Sequence, residues 1–276
     1  MAPTTNAATP STRYLDRPEG RIAYDVTGDG PLVICAPGMG DLRSVYRYLV
    51  PGLVEEGYRV ATMDLRGHGD SDATFAAYDD VATGTDLLAL ADELGGPATL
   101  VGNSMSAGAA TWAAAEAPDM VSGLVLIGPF VRNVPVGRAM MLVFRLGLLR
   151  PWGPVVWNSY YAKQYPGRPP ADLVAHRGRI REGLRGPGRW RAFAATTRTS
   201  HAPVEARLDE VRAPTLVVMG ERDRDFPDPA AEAQLIAERV EASVVMVPGS
   251  AHYPQAEFPE VVTPAILGFL QGAGRA

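Results

Sequence analysis

The chain has 276 residues, 46% of them apolar and 21% charged, with a net charge of −5. That length predicts one or two domains around a buried core, and 29 Gly and 24 Pro are too few for a collagen-like or disordered chain. One cysteine, Cys35, excludes an intramolecular disulfide and a thiolate zinc cluster.

Residues 1–12 are mostly Ala, Thr, Pro and Ser, lack the basic start and apolar stretch of a signal peptide, and read as a disordered tail. The longest apolar runs fall far short of the ~20 residues of a membrane span. The expectation is a cytoplasmic protein without a membrane partner. Strand-like runs at 21–26, 32–36, 58–64, 98–102 and 124–128 alternate with helical patterns at 42–56, 80–94 and 105–117. After residue 203 the alternation resumes with a strand at 215–220, a helix at 229–240, a strand at 243–247 and a helix at 258–270. Such alternation predicts an α/β fold with a mainly parallel sheet and helices on both faces.

Residues 129–203 differ. They hold 13 Lys and Arg against Asp172 and Glu182, a charge of +11, whereas the rest of the chain carries −16. Three of the four Trp lie here and no strand-like alternation is present, so the segment predicts a helical cap inserted into a core of residues 13–128 and 204–276. Ligands bind such sheets outside the carboxyl ends of the strands. Trp152, Trp157, Tyr160 and Tyr161 are therefore candidate pocket-lining residues.

The sharpest chemical signal is Gly102-Asn103-Ser104-Met105-Ser106, which leads from a buried strand into an Ala-rich helix. A lone Gly-x-Ser-x-small reads more readily as a helix N-cap. Between a strand and a helix it reads as a nucleophile elbow, a sharp turn that exposes the serine hydroxyl above a sheet.

With its other motifs the chain resembles the α/β-hydrolase superfamily over residues 14–270. Pro37-Gly38-Met39-Gly40 follows the strand at 32–36, where the superfamily has an oxyanion turn. Asp64-Leu65-Arg66-Gly67-His68-Gly69-Asp70-Ser71 is similar to its Asp-x-Arg-Gly-x-Gly-x-Ser segment. Gly220-Glu221-Arg222-Asp223 and Gly249-Ser250-Ala251-His252 follow the last two strands, at the acid and histidine positions. The resemblance implies a triad of Ser104 as nucleophile, His252 as base and Asp223 as its orienting acid, in the order this fold uses. It also implies an oxyanion hole of the Met39 and Met105 backbone N–H groups. Asp225 and Asp228 compete with Asp223, which sits nearest the strand end. His68 and Asp64 read as turn organisers, and His176 and His201 have no acid at a suitable spacing. Two positions depart from the pattern: Ser106 replaces the elbow's second Gly, and Pro37 replaces a histidine that shapes the oxyanion loop.

The implied activity is hydrolysis of a small carboxylic ester or lactone through an acyl-enzyme, with a rate rising through an apparent pKa near ~6–7 as His252 becomes neutral. Carbon–carbon hydrolysis, thioester cleavage and acyl transfer use the same triad, and a non-catalytic small-molecule receptor could use the same fold. A serine at the elbow excludes the aspartate chemistry of dehalogenases and epoxide hydrolases. Gly28-Asp29-Gly30 and Gly38-Met39-Gly40 do not complete a dinucleotide fingerprint, because the third glycine positions hold Val33 and Arg43. The expectation is a small-molecule substrate, no cofactor or metal and no nucleic acid, in a monomer or homodimer.

Overall fold

The computed structural model describes residues 11–134 and 138–273. Residues 1–10 of the expected tail and 135–137 of the expected insert lie outside the described residues. Eight strands, β1 (Arg13–Arg17), β2 (Gly20–Thr27), β3 (Leu32–Ala36), β4 (Arg59–Met63), β5 (Ala98–Asn103), β6 (Val121–Ile127), β7 (Thr215–Gly220) and β8 (Ser243–Val247), form one sheet. Their order is β1-β2-β4-β3-β5-β6-β7-β8; β1–β2 and β2–β4 pair antiparallel and every later pair is parallel. The central strands β3, β5 and β7 are buried along their whole length, as continuous apolar runs require when both faces are covered. Strand β1 has no counterpart in the sequence reading. In Arg-Tyr-Leu-Asp-Arg only Leu15 is buried, so no apolar alternation marks it, and its charges suit an exposed edge.

Helices α1 (Val50–Glu55), α2 (Asp80–Glu93) and α3 (Met105–Glu116) lie among the first six strands. The helix expected over 42–56 is divided into a 3₁₀ turn, Arg43–Tyr48, and α1. Pro51 has no N–H to return to the preceding turn, so a continuous α-ladder cannot run through it. Helices α4 (Arg138–Gly147), α5 (Gly153–Ala162), α6 (Leu173–Gly183), α7 (Arg189–Thr196) and α8 (Ala202–Glu205) follow β6, and α9 (Pro229–Val240), α10 (Pro254–Glu257) and α11 (Pro259–Ala273) complete the chain. Leu87 and Leu90 of α2, the alanines of α3 and Ile236 of α9 pack with one face of the sheet. Leu53 of α1, Val262 and Ile266 of α11, and Trp157 and Tyr161 of α5 pack with the other. Cys35 lies in this second cluster, fully buried in β3 with its thiol pushed towards the protonated form by burial. Among the described residues no helix is long and apolar enough to cross a membrane.

The turn after β5 depends on one glycine. A Cβ at Gly102 would lie 2.3 Å from the Ser106 carbonyl oxygen, which is backbone and cannot rotate away. Gly178 on α6 has nothing within 4 Å of the same position. We expect Gly102→Ala to cost roughly 2–3 kcal/mol and to lower Tm by about 5–10 °C in thermal unfolding. Gly178→Ala should leave Tm unchanged or raise it.

Candidate active site

Loops from the carboxyl ends of β3, β5, β6, β7 and β8 meet at one end of the sheet. Ser104 follows β5 directly and takes φ 59° and ψ −122°, a positive φ that few side chains adopt. Three backbone bonds hold it there. Its N–H donates to the Ile127 carbonyl at 2.9 Å, and its own carbonyl accepts from Ala107 N–H at 3.0 Å and Phe130 N–H at 3.3 Å. Ser104 also serves as the N-cap residue of α3, but its side chain makes no capping bond.

His252 follows β8 and is buried beside Asp223 from the loop after β7. Its Nδ1 lies 2.7 Å from Asp223 Oδ2 and 3.6 Å from Asp225 Oδ2. Asp225 N–H donates to Asp223 Oδ1 at 3.0 Å, so both oxygens of Asp223 are engaged. Asp228 stands apart from this cluster; its carboxylate accepts from Ala231 N–H and caps α9. The main chain leaves just enough room: a Cβ at Gly128, which has φ +50°, would sit 3.1 Å from His252 Nδ1 and 3.2 Å from Asp223 Oδ2. The Asn103 side-chain amide donates to the His252 carbonyl at 3.1 Å and the Ile127 carbonyl at 3.0 Å, tying the histidine loop to the strand that carries Ser104. Buried Glu257 braces the same loop, accepting from Ser250 Oγ–H and Ala251 N–H at 2.8 Å each. Its other oxygen accepts from Gly167 N–H at 2.9 Å, beyond α5. No sequence motif singled out Asn103 or Glu257.

Burial alone favours neutral His252, but the Asp223, Asp225 and Asp41 carboxylates outweigh it and raise its pKa to about 9. That is well above the 6–7 of an ordinary histidine. His68 is the opposite case: burial pushes its pKa down to about 4. Its Nδ1–H faces the Arg66 carbonyl at 2.9 Å, leaving Nε2 to accept from Gly40 N–H at 2.9 Å. His68 thus holds the loop after β3. Asp64 organises the neighbouring turn, accepting from Arg43 N–H at 2.7 Å and Asp70 N–H at 3.0 Å.

In that loop, a Cβ at Gly38 would approach Ser104 Cβ to 2.9 Å, so the loop lies against the serine. Among the described residues no hydrogen bond takes up the Met39 N–H. Met105 is the first residue of α3, where a backbone N–H has no partner inside the helix. The aromatic candidates occupy different places. Trp157 N–H donates to the Gly40 carbonyl at 3.2 Å, and Tyr160 O–H donates to Asp225 Oδ1. Gln164 donates to Asp225 Oδ2 at 2.8 Å. Tyr161 is buried with its O–H on Asp41 at 2.8 Å, whereas Trp152 is half exposed, its N–H on the Leu146 carbonyl. His176 and His201, with no acid at a suitable spacing in the sequence, meet distant ones in the fold: His176 contacts Asp41 and His201 contacts Asp80, each at 2.7 Å.

Asp223, Asp225 and His252 bring ligand atoms within 4.8 Å of one another, close enough to suggest a metal. Yet Nδ1 is committed to Asp223, and Asp225 already accepts from Tyr160 and Gln164. The cluster fits an acid-oriented histidine better than a cation.

The sequence model of the alpha/beta hydrolase family matches residues 33–265. The chain belongs to that family. It is 31% identical over 261 residues, 91% of this chain and 92% of the relative, to a 2-(acetamidomethylene)succinate hydrolase of Mesorhizobium japonicum. It is 28% identical over 246 residues to a pimeloyl-[acyl-carrier protein] methyl ester esterase of Neisseria meningitidis, covering 86% and 92% of the two chains. Its fold superposes with a TM-score of 0.75 on a malate-bound esterase of Thermogutta terrifontis, 25% identical, over 96% of this chain and 99% of that one.

A histidine whose folded pKa is raised binds its proton more tightly in the native state. This contribution to stability is fully present below pH 6.5, the ordinary histidine value, and is lost as pH rises through about 9. We expect an NMR titration of the His252 ring to have its midpoint near 9, and Asp225→Asn to move it down. A wild-type midpoint near 6.5, or one indifferent to Asp225→Asn, would contradict the two-carboxylate account.

Proposed function

We propose that this alpha/beta hydrolase cleaves a small carboxylic ester or lactone through an acyl-enzyme on Ser104. The observation that carries the reading is the 2.7 Å contact of His252 Nδ1 with Asp223, at the same sheet end as a serine in an elbow conformation. Holding the Nδ1 proton on Asp223 leaves Nε2 of the neutral ring as the base. Ser104 Oγ attacks the carbonyl carbon and its proton passes to Nε2. The carbonyl oxygen, now an anion, accepts from the Met39 and Met105 N–H groups and is further favoured by the N-terminus of α3. Collapse expels the alkoxide, which takes the Nε2 proton. Water then attacks the acyl carbon, its proton passes through His252 to Ser104 Oγ, and the acid leaves.

Asp223 is assigned the orienting role over Asp225 because it lies 2.7 Å rather than 3.6 Å from Nδ1. The two curated relatives, named for a methyl ester and for an acetamidomethylene succinate, support a small carbonyl substrate without choosing among carbonyl classes. Residues 129–203 act as a cap in this reading. Part of their positive charge is spent on cohesion, since Arg132 pairs with Glu232 and Arg168 with Glu260 in the core.

A fluorophosphonate should add once per chain, on Ser104, as read by intact mass. Ser104→Ala should abolish the adduct and reduce p-nitrophenyl acetate hydrolysis by ~10⁴-fold or more. An adduct that survives in the variant would remove Ser104 as the nucleophile. Asp223→Asn should cost roughly 10³–10⁴-fold in kcat by favouring the wrong tautomer, and Asp225→Asn within about tenfold. The reverse order would transfer the orienting role to Asp225.

A further inference from the structure

The two departures from the family pattern, Ser106 and Pro37, are in contact: Ser106 Oγ–H donates to the Pro37 carbonyl at 2.5 Å, and Ser106 is fully buried. The tight contact at this turn lies at Gly102, where a Cβ would strike the Ser106 carbonyl.

The setting gives that bond a purpose. Gly38 must be a glycine because Ser104 Cβ lies 2.9 Å from where its Cβ would be. A glycine there also leaves the chain free to swing, and the next N–H is that of Met39. The loop is therefore fixed from outside. On one side of Met39, the Pro37 carbonyl is held by Ser106, and the Ala36 carbonyl before it by Tyr46 O–H at 2.7 Å. On the other, Gly40 N–H is held by His68 at 2.9 Å and the Gly40 carbonyl by Trp157 at 3.2 Å. Ser106 is the only one of these partners that lies on the elbow helix itself, two residues from Ser104 and one from Met105.

We propose that Ser106 is a positioning residue that sets the oxyanion hole, its hydroxyl fixing the Pro37–Gly38 peptide so that the Met39 and Met105 N–H groups converge. The inference rests on the acyl-transfer reading above. Donors on two separate segments are worth most when their spacing is fixed before the charge develops. One side chain on α3 that grips the loop after β3 fixes that spacing directly.

The test uses the full chain, p-nitrophenyl acetate as substrate and phenylboronic acid as a tetrahedral mimic. Ser106→Ala and Ser106→Gly should each lower kcat by about 10- to 100-fold while KM stays within about twofold. The inhibition constant of the boronic acid should weaken in step with kcat, and the pH midpoint should stay put because His252 is untouched. Wild-type kcat in either folded variant, or a rise in KM alone, would overturn the proposal. Loss of the folded state in both, read by circular dichroism, would make Ser106 a stability residue and overturn it as well. Fluorophosphonate labelling of the wild type separates the two levels: no adduct on Ser104 removes the acyl-enzyme reading, whereas a normal adduct with unaffected variants removes only the role of Ser106.

Discussion

A serine held at φ 59° directly after a parallel strand is unfavourable in isolation, and the rest of the site is built around keeping it there. The strain persists because several fixed contacts surround it. Ser104 N–H is held by β6, its carbonyl is shared by α3 and the loop after β6, and Gly102 lets the helix close onto the strand. Gly38 and Gly128 are bare for related reasons: Ser104 leaves no space for a Cβ at Gly38, and at Gly128, which has φ +50°, the His252–Asp223 pair leaves little. Backbone geometry therefore decides where chemistry can be placed before any charge is considered.

Electrostatics then works within that frame in two opposite directions. His68 and His252 are both buried. For His68 the desolvation prevails and the ring serves as a neutral acceptor; for His252 three carboxylates reverse the outcome. The same residue type thus becomes a rigid loop support in one place and a readily protonated group in another. Asp225 matters here although it does not make the close contact, because it adds charge near Nδ1 while Tyr160 and Gln164 keep it from approaching further.

Much of this was legible in the sequence. The alternation of apolar strands with helices marked seven of the eight strands, since a buried parallel strand is a short continuous apolar run. Strand β1 escaped because only Leu15 faces inward, and the division of the helix over 42–56 escaped because Pro51 was read through. The residues brought together at the strand ends were marked by glycine-bounded turns, which have local signatures. Partners far apart in the chain have none. Asp41 and His176 are 135 residues apart and Asp80 and His201 are 121 apart, so no spacing rule could join them. Nor could spacing show that Ser106 reaches Pro37, or that a second carboxylate would raise His252.

The lone cysteine has a consequence for watching the molecule move. Cys35 is fully buried mid-sheet and its thiol is disfavoured from ionising, so the folded chain presents it to no reagent as a thiolate. A thiol introduced at Val155, an exposed position of α5, would react alone. A fluorescent or spin reporter attached there would sit on the helix whose Trp157 and Tyr160 touch the loop after β3 and the acid cluster, with no background from the core. The native sequence is thus already prepared for single-site labelling of the helix that spans both halves of the site.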